Sequence, residues 1–152
     1  MAMRKTHVAL GVFAAIAIVM AGQPQAAVSC HKINARGVGQ DLGDGVTTAR
    51  IIGGGLLHGT TLGTFVITGV SGTVASFEGT LTFTTNQATL TVSVAGTLDV
   101  ATGEFSASGP VTTATGKLAG ASGSLSLSGL QDLAAGTFVE EVTGEICVDL
   151  AP

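Results

Sequence analysis

The clearest pattern in the chain is a two-residue alternation of apolar and polar side chains. In residues 88–100 (ATLTVSVAGTLDV), one parity is apolar apart from Gly96, and the other is mostly threonine, serine and aspartate. Because successive side chains of a strand point to opposite faces, this stretch predicts a long, half-buried β-strand. Its many valines and threonines also favour the pleated conformation over a helix.

The same alternation recurs along the chain at short intervals. It predicts strands near 30–37, 46–52, 64–70, 74–84, 88–100, 104–112, 124–130 and 137–150. The segment 39–45 predicts a turn, whereas 56–61 is compatible with a short strand or a bend. Connections this short join antiparallel strands, because parallel neighbours need longer crossovers. The sequence therefore predicts an all-β, antiparallel domain of about eight strands.

Two cysteines bear on how this sheet protects its edges. A sheet of this size closes into a barrel or doubles into a sandwich. Cys30 and Cys147 most simply form a disulfide in an exported chain, and a disulfide requires Cα atoms within about 7 Å of each other. The first and last strands are then neighbours, which favours a closed barrel over the alternative, a β-sandwich.

Residues 1–27 differ from the rest of the chain. Arg4 and Lys5 precede an apolar run at 8–21, and small residues follow it. The run is shorter than the roughly twenty residues that span a membrane, so it predicts a secretory signal peptide cleaved after Ala26 or Ala27. An uncleaved anchor and a lipoprotein signal are the alternatives. We expect a secreted (extracellular or periplasmic) protein, with a barrel domain at 28–152 and no stable membrane span after cleavage.

Without this leader the chain is acidic. Four basic side chains stand against ten carboxylates, a formal net charge of −6. An acidic surface without a basic cluster argues against binding nucleic acid or anionic lipid. The spacing of ligand-type residues fits neither a zinc site nor, at Asp41 and Asp44, a calcium loop. We therefore expect no metal and no cofactor, and the sequence leaves homo-oligomer formation open.

Glu140 is the most informative polar position, because it shares the apolar parity of the last strand with Phe138 and Val142. An inward carboxyl must be hydrogen-bonded, paired or protonated through a raised pKa; alternatively, Glu140 reaches water at the barrel mouth. Arg50 is a candidate partner for Glu140, or else a surface residue. His58 is a candidate general base if its loop covers a cavity. The candidate ligand-binding side chains are Phe65, Phe77, Phe83, Phe105 and Phe138.

Residues 116–123 (GKLAGASG) resemble the glycine-rich G-x-[FL]-x-x-A-x-G element of the allene oxide cyclase-like and dirigent-like β-barrels. That element also follows one strand and precedes another. The resemblance implies an eight-stranded barrel whose cavity binds an apolar small molecule and steers its cyclisation or coupling by shape. The alternative is a non-catalytic cell-envelope or extracellular structural or adhesive protein that uses its serine and threonine faces. An open interior favours the first function, and a dry core of phenylalanines favours the second.

Overall fold

The computed structural model describes residues 22, 27–53 and 55–150. Within these residues, eight antiparallel strands pair in chain order and close into one barrel. The strands are β1 (Ser29–Gly43), β2 (Val46–Gly53), β3 (Gly59–Ser71), β4 (Val74–Thr84), β5 (Ala88–Asp99), β6 (Glu104–Gly116), β7 (Ser122–Asp132) and β8 (Thr137–Val148). The predicted barrel is confirmed and the sandwich alternative is wrong, because β8 pairs with β1.

The predicted signal peptide lies outside the described residues, except for Gly22 and Ala27. Among the described residues, the structure contains no helix that is long and apolar enough to cross a membrane.

The apolar parity of most strands faces the barrel interior; β3 is the exception, with Thr61 and Gly63 inward and Leu62 and Val66 exposed. In β5, Leu90 and Val92 are fully buried and Val94 is 2% exposed. The opposite parity carries threonine and serine, and the Thr91 and Thr82 hydroxyls hydrogen-bond across the β4–β5 pair at 2.9 Å. Threonine can occupy the outer face in place of charged residues because its hydroxyl stays accessible while its methyl group covers the sheet.

The predicted disulfide is confirmed. Cys30 of β1 lies directly opposite Cys147 of β8 in the register, and their sulfurs are bonded. The bridge therefore joins the first and last strands at the seam where the barrel closes. A structural disulfide of this kind indicates an oxidising, extracytoplasmic compartment.

The two ends of the barrel are built differently. The disulfide end carries the bridge, a 3₁₀ turn (Gly55–Leu57) between β2 and β3, and the connections 85–87 and 117–121. Leu57 and Leu118, from two of these connections, are buried in the core and fill this end. The open end carries the hairpin connections 44–45, 72–73, 100–103 and 133–136.

One connection differs from the sequence prediction, and the structure resolves two others that the sequence left open. The segment 39–45 is mostly strand, because β1 continues to Gly43 and Gly39 still pairs with Phe138. The turn is confined to 44–45, where Asp44 has a φ of 54°. The ambiguous segment 56–61 divides between the 3₁₀ turn and the start of β3, and the glycine-rich 116–123 element contains a turn around the buried Leu118.

We expect removal of the disulfide to lower stability substantially. The bridge spans a sequence separation of 117 residues, so Cys30→Ser with Cys147→Ser should reduce the free energy of unfolding by about 2–5 kcal/mol, mainly by freeing the unfolded chain. Urea unfolding followed by far-UV circular dichroism measures the change. Wild-type protein unfolded in reductant should match the double variant, and equal midpoints for all three samples would contradict this account of closure.

Candidate functional site

The open end of the barrel contains a cavity of about 500 Å³. Its aromatic lining consists of Phe65, Phe77, Phe105 and Phe138. Aliphatic side chains, including Leu81, Val94, Leu98 and Leu127, complete the apolar wall. Polar side chains lie among them or at the mouth: Asp41, Asp44, Thr47, Thr61, Gln131 and Glu140. The interior is thus open in this half of the barrel and packed in the other.

The cavity lies where phenylalanines are paired with glycines on neighbouring strands. Each of its phenylalanines is opposite a glycine in the register: Phe65 with Gly79, Phe77 with Gly96, Phe105 with Gly129 and Phe138 with Gly39. A glycine adds no volume, so a ring can lie over its backbone and the space beyond stays unfilled. A Cβ placed on Gly129 would lie 2.7 Å from Cζ of Phe105.

Phe83 differs from the other four candidates. It is fully buried, and its cross-strand neighbours are Thr61 and Leu90 rather than glycines. It belongs to the packed half of the core and does not line the cavity.

The cavity phenylalanines form two edge-to-face pairs. The ring centroids of Phe65 and Phe77 lie 5.4 Å apart with planes at 71°, and those of Phe105 and Phe138 lie 5.9 Å apart with planes at 90°. Such pairs hold rings in fixed positions because the positive edge of one ring meets the negative face of the other. The aromatic wall is therefore preformed.

Glu140 lies on β8 among these rings and is 6% exposed. Both of its cross-strand neighbours are glycines, Gly37 on β1 and Gly129 on β7. Its side chain lies over Gly37: a Cβ added there would be 2.7 Å from both Cγ and Oε1 of Glu140. Its location near the mouth agrees with the alternative in which Glu140 lies at the barrel mouth. Its burial agrees with the prediction of an inward-facing carboxyl.

The carboxyl of Glu140 has no hydrogen-bond or ion-pair partner among the described residues. Its oxygens are not fully enclosed, because no completely buried side-chain oxygen in the described part of the chain lacks a partner; they keep some accessible surface where Glu140 lines the cavity. Burial alone raises its pKa to about 7, because the apolar wall disfavours the charged form and no donor or cation offsets that cost. The group therefore changes charge near neutral pH. It can donate a hydrogen bond when protonated, accept one when ionised, or pair with a cation brought by a ligand.

Asp41 and Gln131 form a polar bridge at the mouth. The amide Nε2 of Gln131 donates to Oδ2 of Asp41 at 3.1 Å, and the backbone N–H of Gly43 donates to Oδ1 at 2.9 Å. Because Asp41 lies near the end of β1 and Gln131 near the end of β7, the bridge passes across β8 beside Phe138. These polar rim residues, with Asp44, were not predicted as part of the site.

The other predicted candidates lie away from the cavity. Arg50 is exposed on the outer face of β2, because Ala49 and Ile51 occupy the inward parity, so the Arg50–Glu140 pair is not formed. His58 is exposed beside the 3₁₀ turn at the disulfide end, so its loop does not cover the cavity at the opposite end.

The ligand-type side chains in the described part of the chain come together in a group of three at Cys30, Glu145 and Cys147. The two sulfurs are bonded to each other, so neither is a thiolate that could bind a metal. This group has a structural role at the barrel seam.

Comparison of the chain with protein-family models, with curated proteins and with solved structures found no match. The established architecture is a small, disulfide-bonded, eight-stranded antiparallel barrel.

The first prediction from this site concerns pH. Glu140 titrates near 4.5 when unfolded and near 7 when folded, so the native state holds its proton more tightly. Stability from this group is fully present below about pH 4.5 and is lost as pH rises through 7, an effect of about 3 kcal/mol. The free energy of unfolding of wild type relative to Glu140→Gln should therefore fall by about 3 kcal/mol between about pH 4.5 and a pH above 7. Glu141→Gln, at the exposed neighbour, should keep the wild-type slope.

A second prediction tests the space above Gly37. Gly37→Ala would push its new methyl group against the Glu140 side chain and should cost about 1–2 kcal/mol in urea unfolding. In a Glu140→Ala background that contact is gone, so a double-mutant cycle should give a coupling of about 1 kcal/mol. Gly37→Ala combined with Glu141→Ala should be additive. Additivity in both backgrounds would mean that Glu140 does not occupy this position.

Proposed function

We propose that this protein binds an apolar small molecule in the cavity at the open end of the barrel. The observation that carries the proposal is the aromatic-lined space of about 500 Å³. Its volume falls within the roughly 300–1,000 Å³ of small-molecule sites, and its lining has the usual composition of an apolar wall with few polar groups. Eight-stranded barrels are also of a size that can hold one small ligand.

The arrangement of the phenylalanines favours binding over a purely structural role. A structural barrel would gain stability by filling its interior, since a buried void loses dispersion contacts. In the packed half the interior is filled, for example by Phe83, Leu90 and Ile146. In the open half, Phe65, Phe105 and Phe138 lie over glycines, and the space beyond the rings is left unfilled. Unfilled space lowers stability and is expected where a ligand completes the core.

Catalysis would be an elaboration of the same site. The resemblance of residues 116–123 to allene oxide cyclase-like barrels suggests that the wall steers the cyclisation of a flexible apolar substrate. Glu140 would then be the group that exchanges a proton, since its pKa of about 7 suits acid–base chemistry near neutral pH. Export to an extracellular or periplasmic location completes the proposal and is supported by the disulfide.

A second candidate function rests on the outer face of β3 to β6. Threonine and serine recur in register there, as in the row Thr64, Thr80 and Ser93. Threonine hydroxyls also bond across strands, for example Thr89 with Thr115 at 2.6 Å. A regular hydroxyl-rich face of this kind is suited to surface contact or self-association, which is the structural or adhesive alternative.

Binding of a neutral fluorescent probe tests the proposed function. N-phenyl-1-naphthylamine should bind the wild-type protein saturably with enhanced emission, because the cavity excludes water from an apolar aromatic molecule. Ala107→Phe should weaken binding by about tenfold or more, since Ala107 lines the cavity and the added ring would occupy it. Ala107→Leu should have an intermediate effect. Ser108→Phe, at the exposed neighbour on β6, is the matched control.

Native mass spectrometry of protein purified from its exporting host provides the complementary measurement. A co-purified apolar mass that is lost in Ala107→Phe would support the proposal. Ligand-free protein that is folded and binds no probe would overturn it and leave the hydroxyl-rich face as the functional surface.

A further inference from the structure

The charges around the cavity are all of one sign. Three carboxylate side chains line it, Asp41 and Asp44 at the mouth and Glu140 among the rings, and no lysine, arginine or histidine of the described chain does so. The Asp41 carboxylate is hydrogen-bonded to Gln131 and to the Gly43 backbone. Glu140 is the carboxyl that is 94% removed from solvent and unpartnered among the described residues, and it points into the cavity.

We infer that the ligand is an apolar organic cation, of the alkyl- or arylammonium class, whose charged nitrogen is held between the aromatic wall and the Glu140 carboxylate. This inference rests on the proposed function and names the ligand class of that cavity. Two independent features of the geometry support it: the largely buried carboxylate without a partner, and the two pairs of phenylalanine rings that line the same cavity.

The aromatic wall suits a cation. A phenyl ring carries partial negative charge on its face, and several rings set at steep angles can direct their faces at one enclosed group. The rings of each pair meet at 71° and 90°, and the Phe105 ring lies next to the Glu140 backbone, above Gly129. Alkylated ammonium groups are also less strongly hydrated than a primary ammonium, so moving one into an apolar site is less costly.

Other ligand classes fit less well. An anionic ligand such as a fatty acid would meet three carboxylates and no compensating base among the described lining residues. A neutral hydrocarbon would fill the volume but leave Glu140 buried without a partner, as it is in the empty barrel. A cation fills the same volume and also neutralises the carboxylate.

Glu140 should therefore control the affinity for a permanently charged ligand. On the two strands that flank Glu140, one charged side chain lines the cavity, Asp41 of β1. The other charged side chains of these strands, Lys32, Arg36 and Asp132, are exposed and do not line the cavity. Asp44 faces the cavity from the β1–β2 turn. Loss of the Glu140 proton with rising pH should strengthen binding of a cation, and Glu140→Gln should remove that part of the dependence.

The experiment compares benzyltrimethylammonium with neopentylbenzene, its neutral carbon isostere, as competitors of bound N-phenyl-1-naphthylamine. The cation should bind about tenfold or more tighter than the isostere at about pH 8.5, and about tenfold weaker at about pH 5.5 than at 8.5. Glu140→Gln should lose both differences while it still binds the neutral probe. Glu141→Gln makes the same change in net charge at an exposed site and should behave as wild type.

The outcomes separate the ligand class from the proposed function. Equal binding of cation and isostere, or a cation affinity unaffected by Glu140→Gln, would overturn the inference while the bound neutral probe still supports a ligand cavity. Absence of probe binding to the folded wild-type protein would overturn the proposed function itself. The pH dependence in wild type alone provides a check that does not depend on folding of the variant.

Discussion

The interior cross-section of this barrel is set by its backbone, and the rest of the structure follows from that constraint. Eight strands joined edge to edge by hydrogen bonds enclose a fixed space, and every second side chain must occupy it. A small inward residue cannot be offset by moving a strand closer, because that would break the hydrogen-bond ladder. The volume omitted at Gly37, Gly39 and Gly129 is occupied by Glu140, Phe138 and Phe105, which lie over these glycines, and the interior beyond those side chains remains as cavity. In the other half of the barrel, leucine, isoleucine and valine fill the same cross-section.

The same constraint explains why much of the fold was predictable from the sequence. Alternation identifies the strands directly, and a strand such as Val74–Thr84 matched the pattern at both ends. The disulfide fixes which strands meet. It also fixes the register of β1 against β8: counting equally inward from Cys30 and Cys147 brings Gly37 opposite Glu140 and Gly39 opposite Phe138. The position of Gly37 opposite Glu140 was thus available in the sequence, whereas the turn predicted at 39–45 excluded Gly39 from the strand.

The rest of the site depends on information that alternation does not contain. Parity places Phe65 and Phe83 on the same inward face, yet one lines the cavity and the other lies in the packed core. The difference comes from the cross-strand neighbour, glycine for Phe65 and leucine or threonine for Phe83, and hence from the register of each hairpin. Likewise, alternation alone did not show which parity of β2 faces inward. The structure places Ala49 and Ile51 inward, so Arg50 faces outward and cannot pair with Glu140.

The cavity and the buried carboxyl both lower the stability of the empty protein, and they do so at the same place. The void loses packing contacts, and ionised Glu140 lacks a partner in an apolar surrounding. A covalent bond at the opposite end raises stability through the unfolded chain, without needing any packing inside the cavity. One half of the barrel can thus stay unfilled, because the disulfide that closes the barrel does not depend on packing in that half. A ligand that fills the volume and pairs the charge would remove both costs together, and its binding would stabilise the fold by mass action.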